Sequence, residues 1–317
     1  MPTPNKPSSN HIFYSYADAL EHRFYRWLFR WHLSAVTEPT AVDHALFAWL
    51  QSLDSGEEVV NQLPLLPQAV IELLAMLGRK ESSTTAIVQA IARDPGLLGD
   101  TIRLANSVYI APQRPIENLD QAVVMLGLDG LRRLAAQTAL HPVFLQPDDE
   151  HARRAAQQLW NLAQRRAYVA TRLAPSGAGN FAAFLAAMMH DIGLLVALRR
   201  MNEVASRHLH PQSSDFLHQL HEKNHRLRTL AMNHWTLPAA TLEVLSSLHH
   251  IRSGNETSPI LVALAAADYT SKFDLLVRFG RVHSHTPERT FASIGSFGPD
   301  CIRAYHDLLK LDMRTLD

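Results

Sequence analysis

The chain has 317 residues, 47% of them hydrophobic and 8% aromatic, which supplies a substantial core and exceeds the size of one small module. Acidic and basic residues balance at 30 each and only 19% of residues are charged, so no chain-wide field drives it onto nucleic acid or an anionic membrane. A single cysteine, Cys301, excludes an internal disulfide framework and a thiolate zinc site.

Met1 to Asn10 is rich in Pro, Ser and Asn and lacks the charged-then-apolar order of a signal peptide. Tyr16, Leu20, Phe24, Trp27, Leu28 and Trp31 then recur at three- and four-residue steps, predicting a helix from about Tyr16 to Leu33. Its opposite face carries His22, Arg23, Arg26, Arg30 and His32. Packing on its own domain is the simplest use of such a helix; a membrane surface or a partner helix is the alternative. A short helix is expected over Ala41 to Leu53, before Asp54-Ser55-Gly56.

Leu63-Pro64-Leu65-Leu66-Pro67 reads as an extended lead-in, because each proline fixes its own φ and disfavours helix one residue earlier. A boundary is placed just upstream, near residue 58. Gln68 to Leu77 is the next expected helix, stopped by Gly78. Ser82 to Thr85 offer N-caps for a helix reaching Arg93, and Asp94-Pro95 pairs a capping carboxylate with a proline that has no amide hydrogen to leave unpaired. That helix runs to about Asn106. Another starts at Asn118 or Asp120 and ends at Gly127, and Asp129 opens one more toward Leu140. Nothing alternates with the period of a strand.

The second half is also helical. One helix is expected over Glu150 to Leu173, closed by Pro175-Ser176-Gly177. Arg154, Arg165 and Arg172 fall 11 and 7 residues apart on it, which at about 100° per residue puts them on one stripe. A solvated face or a phosphate-binding one both fit. The longest apolar stretch, Phe181 to Leu198, is interrupted by His190, Asp191 and Gly193, which argues against a membrane span and for a soluble intracellular protein.

Eighteen histidines carry most of the chemical content. His190-Asp191 ends an apolar helix, and because neighbouring helical residues diverge by about 100°, both reach one point only from a helix end or a kink that Gly193 would permit. His225, His249-His250 and Asp268 follow downstream. Imidazole and carboxylate without thiolate suit iron, manganese or zinc; each histidine has a plain structural reading beside that one.

Leu63-Pro64-Leu65-Leu66-Pro67, Asp94-Pro95, Leu104-Ala105-Asn106-Ser107, Ala122 to Leu128, His190-Asp191-Ile192-Gly193, Trp235-Thr236-Leu237-Pro238 and His249-His250 stand in the order seen in HDOD proteins, whose name means HD-related output domain. The chain resembles that family over roughly residues 59 to 255. The resemblance implies an all-α bundle of the HD type, with residues 1–58 as an N-terminal helical extension and 256–317 as helices completing the bundle. It relates the chain to metal-dependent phosphohydrolases, including the HD-GYP cyclic-di-GMP phosphodiesterases. By position, His190, Asp191, His225, His249, His250 and Asp268 match the ligands that hold divalent metal there.

Two departures weigh against hydrolysis. The first metal-binding His of those enzymes corresponds to Leu162, and the lysine that follows their His-Asp-x-Gly corresponds to Leu194. A set short of a ligand does little to acidify a bound water. The reading adopted is a non-catalytic bacterial signalling module, cytoplasmic, acting through a protein partner, with DNA not expected. The alternatives are a residual metal-dependent phosphohydrolase, or a sensor of a nucleotide or cyclic dinucleotide using Arg165 and Arg166 on phosphate and Trp160 for stacking.

Overall fold

The computed structural model describes residues 9–29, 41–53, 67–79, 81–106, 113–144, 150–175, 178–204, 214–235, 237–248, 258–283, 287–292 and 298–312. Among them fourteen helices follow one another without a strand: α1 (Ser9–Leu28), α2 (Ala41–Ser52), α3 (Gln68–Leu77), α4 (Thr84–Ala92), α5 (Pro95–Ala105), α6 (Leu119–Phe144), α7 (Glu150–Leu173), α8 (Ala178–Met189), α9 (Ile192–Val204), α10 (Ser214–Trp235), α11 (Ala239–Ser247), α12 (Pro259–Arg278), α13 (Pro287–Ala292) and α14 (Gly298–Asp312). The all-α bundle expected from the sequence is the fold.

The helix starts follow from single side chains. Ser83 accepts a bond from the Ala86 amide at 3.2 Å, and Asp94 accepts from Gly96 and Leu97 at 2.9 and 3.0 Å with Pro95 as the first helical residue. Asn118 caps α6 through the Gln121 amide at 2.9 Å. Gly127 interrupts α6 with φ 66° and ψ −179°, a left-handed φ that a β-carbon disfavours, which is where the sequence ends one helix and begins the next. Asn106 closes α5 and reaches ten residues on: its amide donates to the Ile102 and Ile116 carbonyls, and its oxygen accepts from the Ile116 amide at 2.8 Å. The lead-in at 63–66 lies outside the described residues.

Helix α7 is the axis of the bundle. It packs against α12 and α8 and also touches α6, α9 and α14. Leu159, Trp160, Leu162, Val169 and Ala170 are buried along it. The long apolar segment over residues 180–201 is mostly buried inside the fold and breaks into α8 and α9 at His190-Asp191.

The N-terminal helices join this core. Leu20, Phe24, Tyr25, Trp27 and Leu28 of α1 and Leu46, Trp49 and Leu50 of α2 belong to the same buried cluster as the central helices. Burial of one such side chain contributes about 1.5–3 kcal/mol relative to leaving it in water. Helix α1 lies on α12 and α10, and α2 on α10 and α9. On the basic face, Arg23 and Arg26 are exposed, while His22 is half-buried beside α10; Arg30 and His32 lie outside the described residues.

Candidate functional site

His190 and Asp191 occupy the turn between α8 and α9, so the pair meets a common point from a helix end. The Leu194 amide closes that turn on the Asp191 carbonyl at 2.9 Å. Gly193 does not kink the chain. It lies within α9, where an added β-carbon would come 2.7 Å from the Asn224 carbonyl oxygen and 3.0 Å from Leu227 Cβ, so its lack of a side chain sets how closely α9 approaches α10.

Asp268, from α12, completes a three-residue group with His190 and Asp191 in which one ligand-type atom per residue lies within 4.8 Å of the others. His225 is not part of this group; it is exposed on α10, its Nδ1 2.8 Å from the Glu222 carbonyl oxygen. His249 and His250 lie outside the described residues.

The centre of the group is held by Arg166. This guanidinium, 0% exposed, bonds Asp191 Oδ2 through Nη2, bridges to Asp268 Oδ1 at 2.7 Å through Nη2 and 2.9 Å through Nε, and donates Nη1 to the Ala187 carbonyl at 3.2 Å. Lys272, 2% exposed and one turn after Asp268, reaches the other oxygen of Asp268 at 2.9 Å and lies 3.6 Å from Glu21 of α1. His190 Nδ1 sits 3.1 Å from Asp191 Oδ1, and Arg228 of α10 donates to the His190 carbonyl at 3.4 Å.

The charges are correspondingly displaced from their ordinary behaviour. Burial would raise the Asp191 carboxyl, but Arg166, His190 and Lys272 overcome it and hold the group well below the usual carboxylate range. Asp268 is likewise lowered, with Lys272 and Arg166 outweighing burial. Burial and Arg166 together lower His190, against the pull of Asp268 and Asp191. Burial pushes the Arg228 guanidinium down to about 10 against the pull of Asp191.

Among the described residues this arrangement does not fit a resident divalent ion. Two carboxylates, Asp191 and Asp268, are matched by two buried cations, Arg166 and Lys272, so their charge is already closed. Leu162, fully buried, stands one helical turn before Arg166 on the same face of α7 and offers no ligand. The chain's own guanidinium thus lies against the carboxylates that would receive a metal.

Sequence reasoning placed Arg166 among phosphate-binding arginines and did not connect it to Asp191 or Asp268. The signal was its spacing of four from Leu162, as Lys272 is four from Asp268. The rest of the arginine set is also committed within the fold. Arg165 pairs with buried Asp274 at 2.5 Å, Arg154 lies over the Trp27 ring and bonds the Leu28 carbonyl, and Arg172 stacks 3.4 Å over Tyr168. Trp160 is core, packed between His141 and Phe144.

An all-helical bundle with a His-Asp turn closed by internal cations defines the class. Residues 63–251 match the HDOD domain, and the chain belongs to the HDOD family. It is similar to an uncharacterized protein of Treponema pallidum (strain Nichols), 25% identical over 228 residues that make up 68% of this chain and 43% of the relative, so it spans less than half of that protein's length. Its fold is shared with an HDOD domain protein of unknown function from Geobacter sulfurreducens (TM-score 0.57, 19% identity, 83% of this chain and 89% of that one). A provisionally assigned phosphohydrolase from Shewanella amazonensis SB2B has the same fold (TM-score 0.57, 22% identity, 83% and 94%). So does a provisionally assigned signal transduction protein from Marinobacter aquaeolei VT8 (TM-score 0.50, 18% identity, 94% and 64%).

Proposed function

We propose that the chain is a non-catalytic module of bacterial signal transduction, cytoplasmic, which acts by offering its helical scaffold to a signalling protein. The observation that carries this reading is the Arg166 guanidinium seated on both Asp191 and Asp268. With those carboxylates neutralised from within and Leu162 where the first ligand would stand, the described residues keep little charge with which to hold a metal ion and acidify its water. Contact with a protein is supported by a groove of about 390 Å³ between α6, α7 and α8, lined by Tyr168, Phe184, Arg133 and Arg172 among others. Met125, itself exposed, lines the groove, and its neighbour Val124 is 84% exposed. Apolar side chains exposed next to aromatic and arginine residues have the composition of contact surfaces.

The deciding experiment incubates the full chain with manganese or ferrous iron and either a cyclic dinucleotide or a chromogenic phosphodiester. Turnover is expected to equal that of His190→Gln. Metal-dependent hydrolysis that His190→Gln abolishes would overturn the reading and make the protein a residual phosphohydrolase. For the contact surface, Val124→Glu is expected to leave the melting temperature unchanged and to reduce signalling output in the cell; full output would remove this face from the proposal.

A further inference from the structure

A second group of ligand-type side chains lies away from the His-Asp turn, where α1 crosses α10. On α1, Asp18, Glu21 and His22 are spaced at three and four residues, and on α10, His218 and His221 are spaced at three, so each set shares one helical face. Asp18, Glu21 and His221 each bring one donor atom within 4.8 Å of the others. The His22 ring lies 5.5 Å from that of His221 and 6.2 Å from that of His218, centre to centre. Two imidazoles bound tetrahedrally to one zinc at about 2.1 Å place their ring centres roughly 5 Å apart, close to the His22–His221 spacing.

The second observation is His221 itself. It is 8% exposed, and its Nδ1 is buried without a hydrogen-bond partner among the described residues. That atom points into the group, 3.2 Å from Glu21 Oε1 but outside hydrogen-bonding geometry. A buried nitrogen left in that state is costly, and a metal ion is one partner that relieves it. The same Glu21 oxygen accepts from the Tyr25 hydroxyl at 3.0 Å and lies 3.6 Å from Lys272, whose charge is matched more closely by Asp268 at 2.9 Å. His218 Nε2 is 3.3 Å from Glu222 on its own helix.

We infer that the α1–α10 crossing is a zinc site, with Asp18, Glu21 and His221 as its nearest donors and His22 the imidazole placed to join them. Nitrogen and carboxylate donors without thiolate suit zinc, and the two helices supply ligands from both sides, so the ion ties the N-terminal helix to α10. Lys272 approaches this group only at Glu21, at 3.6 Å, whereas in the His190–Asp191–Asp268 group Arg166 and Lys272 both bond the carboxylates directly.

The test is calorimetric titration of the full chain, freed of metal by chelator, with a zinc salt near neutral pH. One zinc per chain is expected, with a rise in melting temperature on binding. His22→Gln and Asp18→Asn, at less buried positions, should each fold as wild type and weaken binding about tenfold or more. His221→Gln should do the same, with circular dichroism reporting whether it folds, and His190→Gln should bind as wild type. Absence of stoichiometric zinc in the wild type would overturn the assignment. So would unchanged affinity in the combined Asp18→Asn, His22→Gln chain, or loss of binding in folded His190→Gln.

Discussion

Two clusters of nearly the same residue types lie on either side of Lys272 in this molecule and are closed differently. At the His190-Asp191 turn the carboxylates meet cations supplied by the chain, Arg166 from α7 and Lys272 from α12. At the α1–α10 crossing, imidazoles and carboxylates face one another, and a buried His221 nitrogen has no hydrogen bond among the described residues. The difference teaches that a ligand-like set of residues is defined less by which His and Asp it holds than by how closely fixed cations already bond its carboxylates. Lys272 links the two, reaching Asp268 on one side and Glu21 on the other.

The largest expected effect comes from removing the internal cation. Arg166→Met leaves buried Asp191 facing half-buried Asp268, and breaking a buried pair in this way costs about 3–5 kcal/mol, read by urea unfolding. Replacing both aspartates by asparagine in the same chain should recover part of the loss. The pH dependence should change with it. In the wild type His190 and His141 have lowered pKa values, so the stability gained by keeping them neutral is full above their unfolded value of about 6.5 and is lost as pH falls through the lowered folded values. Asp191 and Asp268 are also lowered; their contribution is full above about 3.9 and is lost only below that, as pH falls through their folded values. Acid therefore destabilises the wild type in two windows. In Arg166→Met, burial dominates Asp191 and protonation relieves it, so the gap to wild type should narrow as pH falls. A constant gap across the range would show that Arg166 acts by packing and not by charge.

How much of this was legible before the structure depends on the range of the interaction. Caps and breaks were legible because each depends on a few neighbouring residues: Asp94 with Pro95, Ser83, and the interruption at Gly127. The bundle and the His-Asp turn were legible for the same reason; that Asp268 of α12 lies beside the turn is a tertiary contact seen in the structure. Arg166 was not, because helical periodicity tells which residues share a face of α7 without telling what that face meets; its partners lie 25 and 102 residues away in sequence. Glu21 was missed on the same grounds, since its neighbours His221 and Lys272 come from α10 and α12. His225 matched a ligand position in the resemblance, yet α10 presents it to solvent. Which side of α10 faces inward is decided by Asn224, Leu227 and Arg228 packing toward the bundle, a tertiary choice with no local marker.

A smaller effect sharpens the comparison by moving the wall between the clusters. Gly193→Ala drives a β-carbon into the Asn224 backbone on α10, and such overpacking costs about 1–3 kcal/mol. Because α10 carries Arg228 toward one cluster and His221 toward the other, the displacement should be felt at both. Loss of stability together with weaker zinc binding is the expected pair of results. A destabilised chain that binds zinc as wild type would mean that α10 yields only near Asn224.

The smallest effect separates the two clusters most cleanly. Asp18 is exposed, so Asp18→Asn without metal should stay within about 0.5 kcal/mol of wild type in unfolding, as surface exchanges away from special features do. With zinc present the two chains should part, because only the wild type gains the stability that binding to the folded state confers. The equivalent neutral exchange at the inner cluster, Asp268→Asn, leaves Lys272 and Arg166 buried beside a neutral amide and should destabilise with or without zinc. A metal-dependent difference at Asp18 beside a metal-independent one at Asp268 is what internal cations at one site and an external cation at the other require.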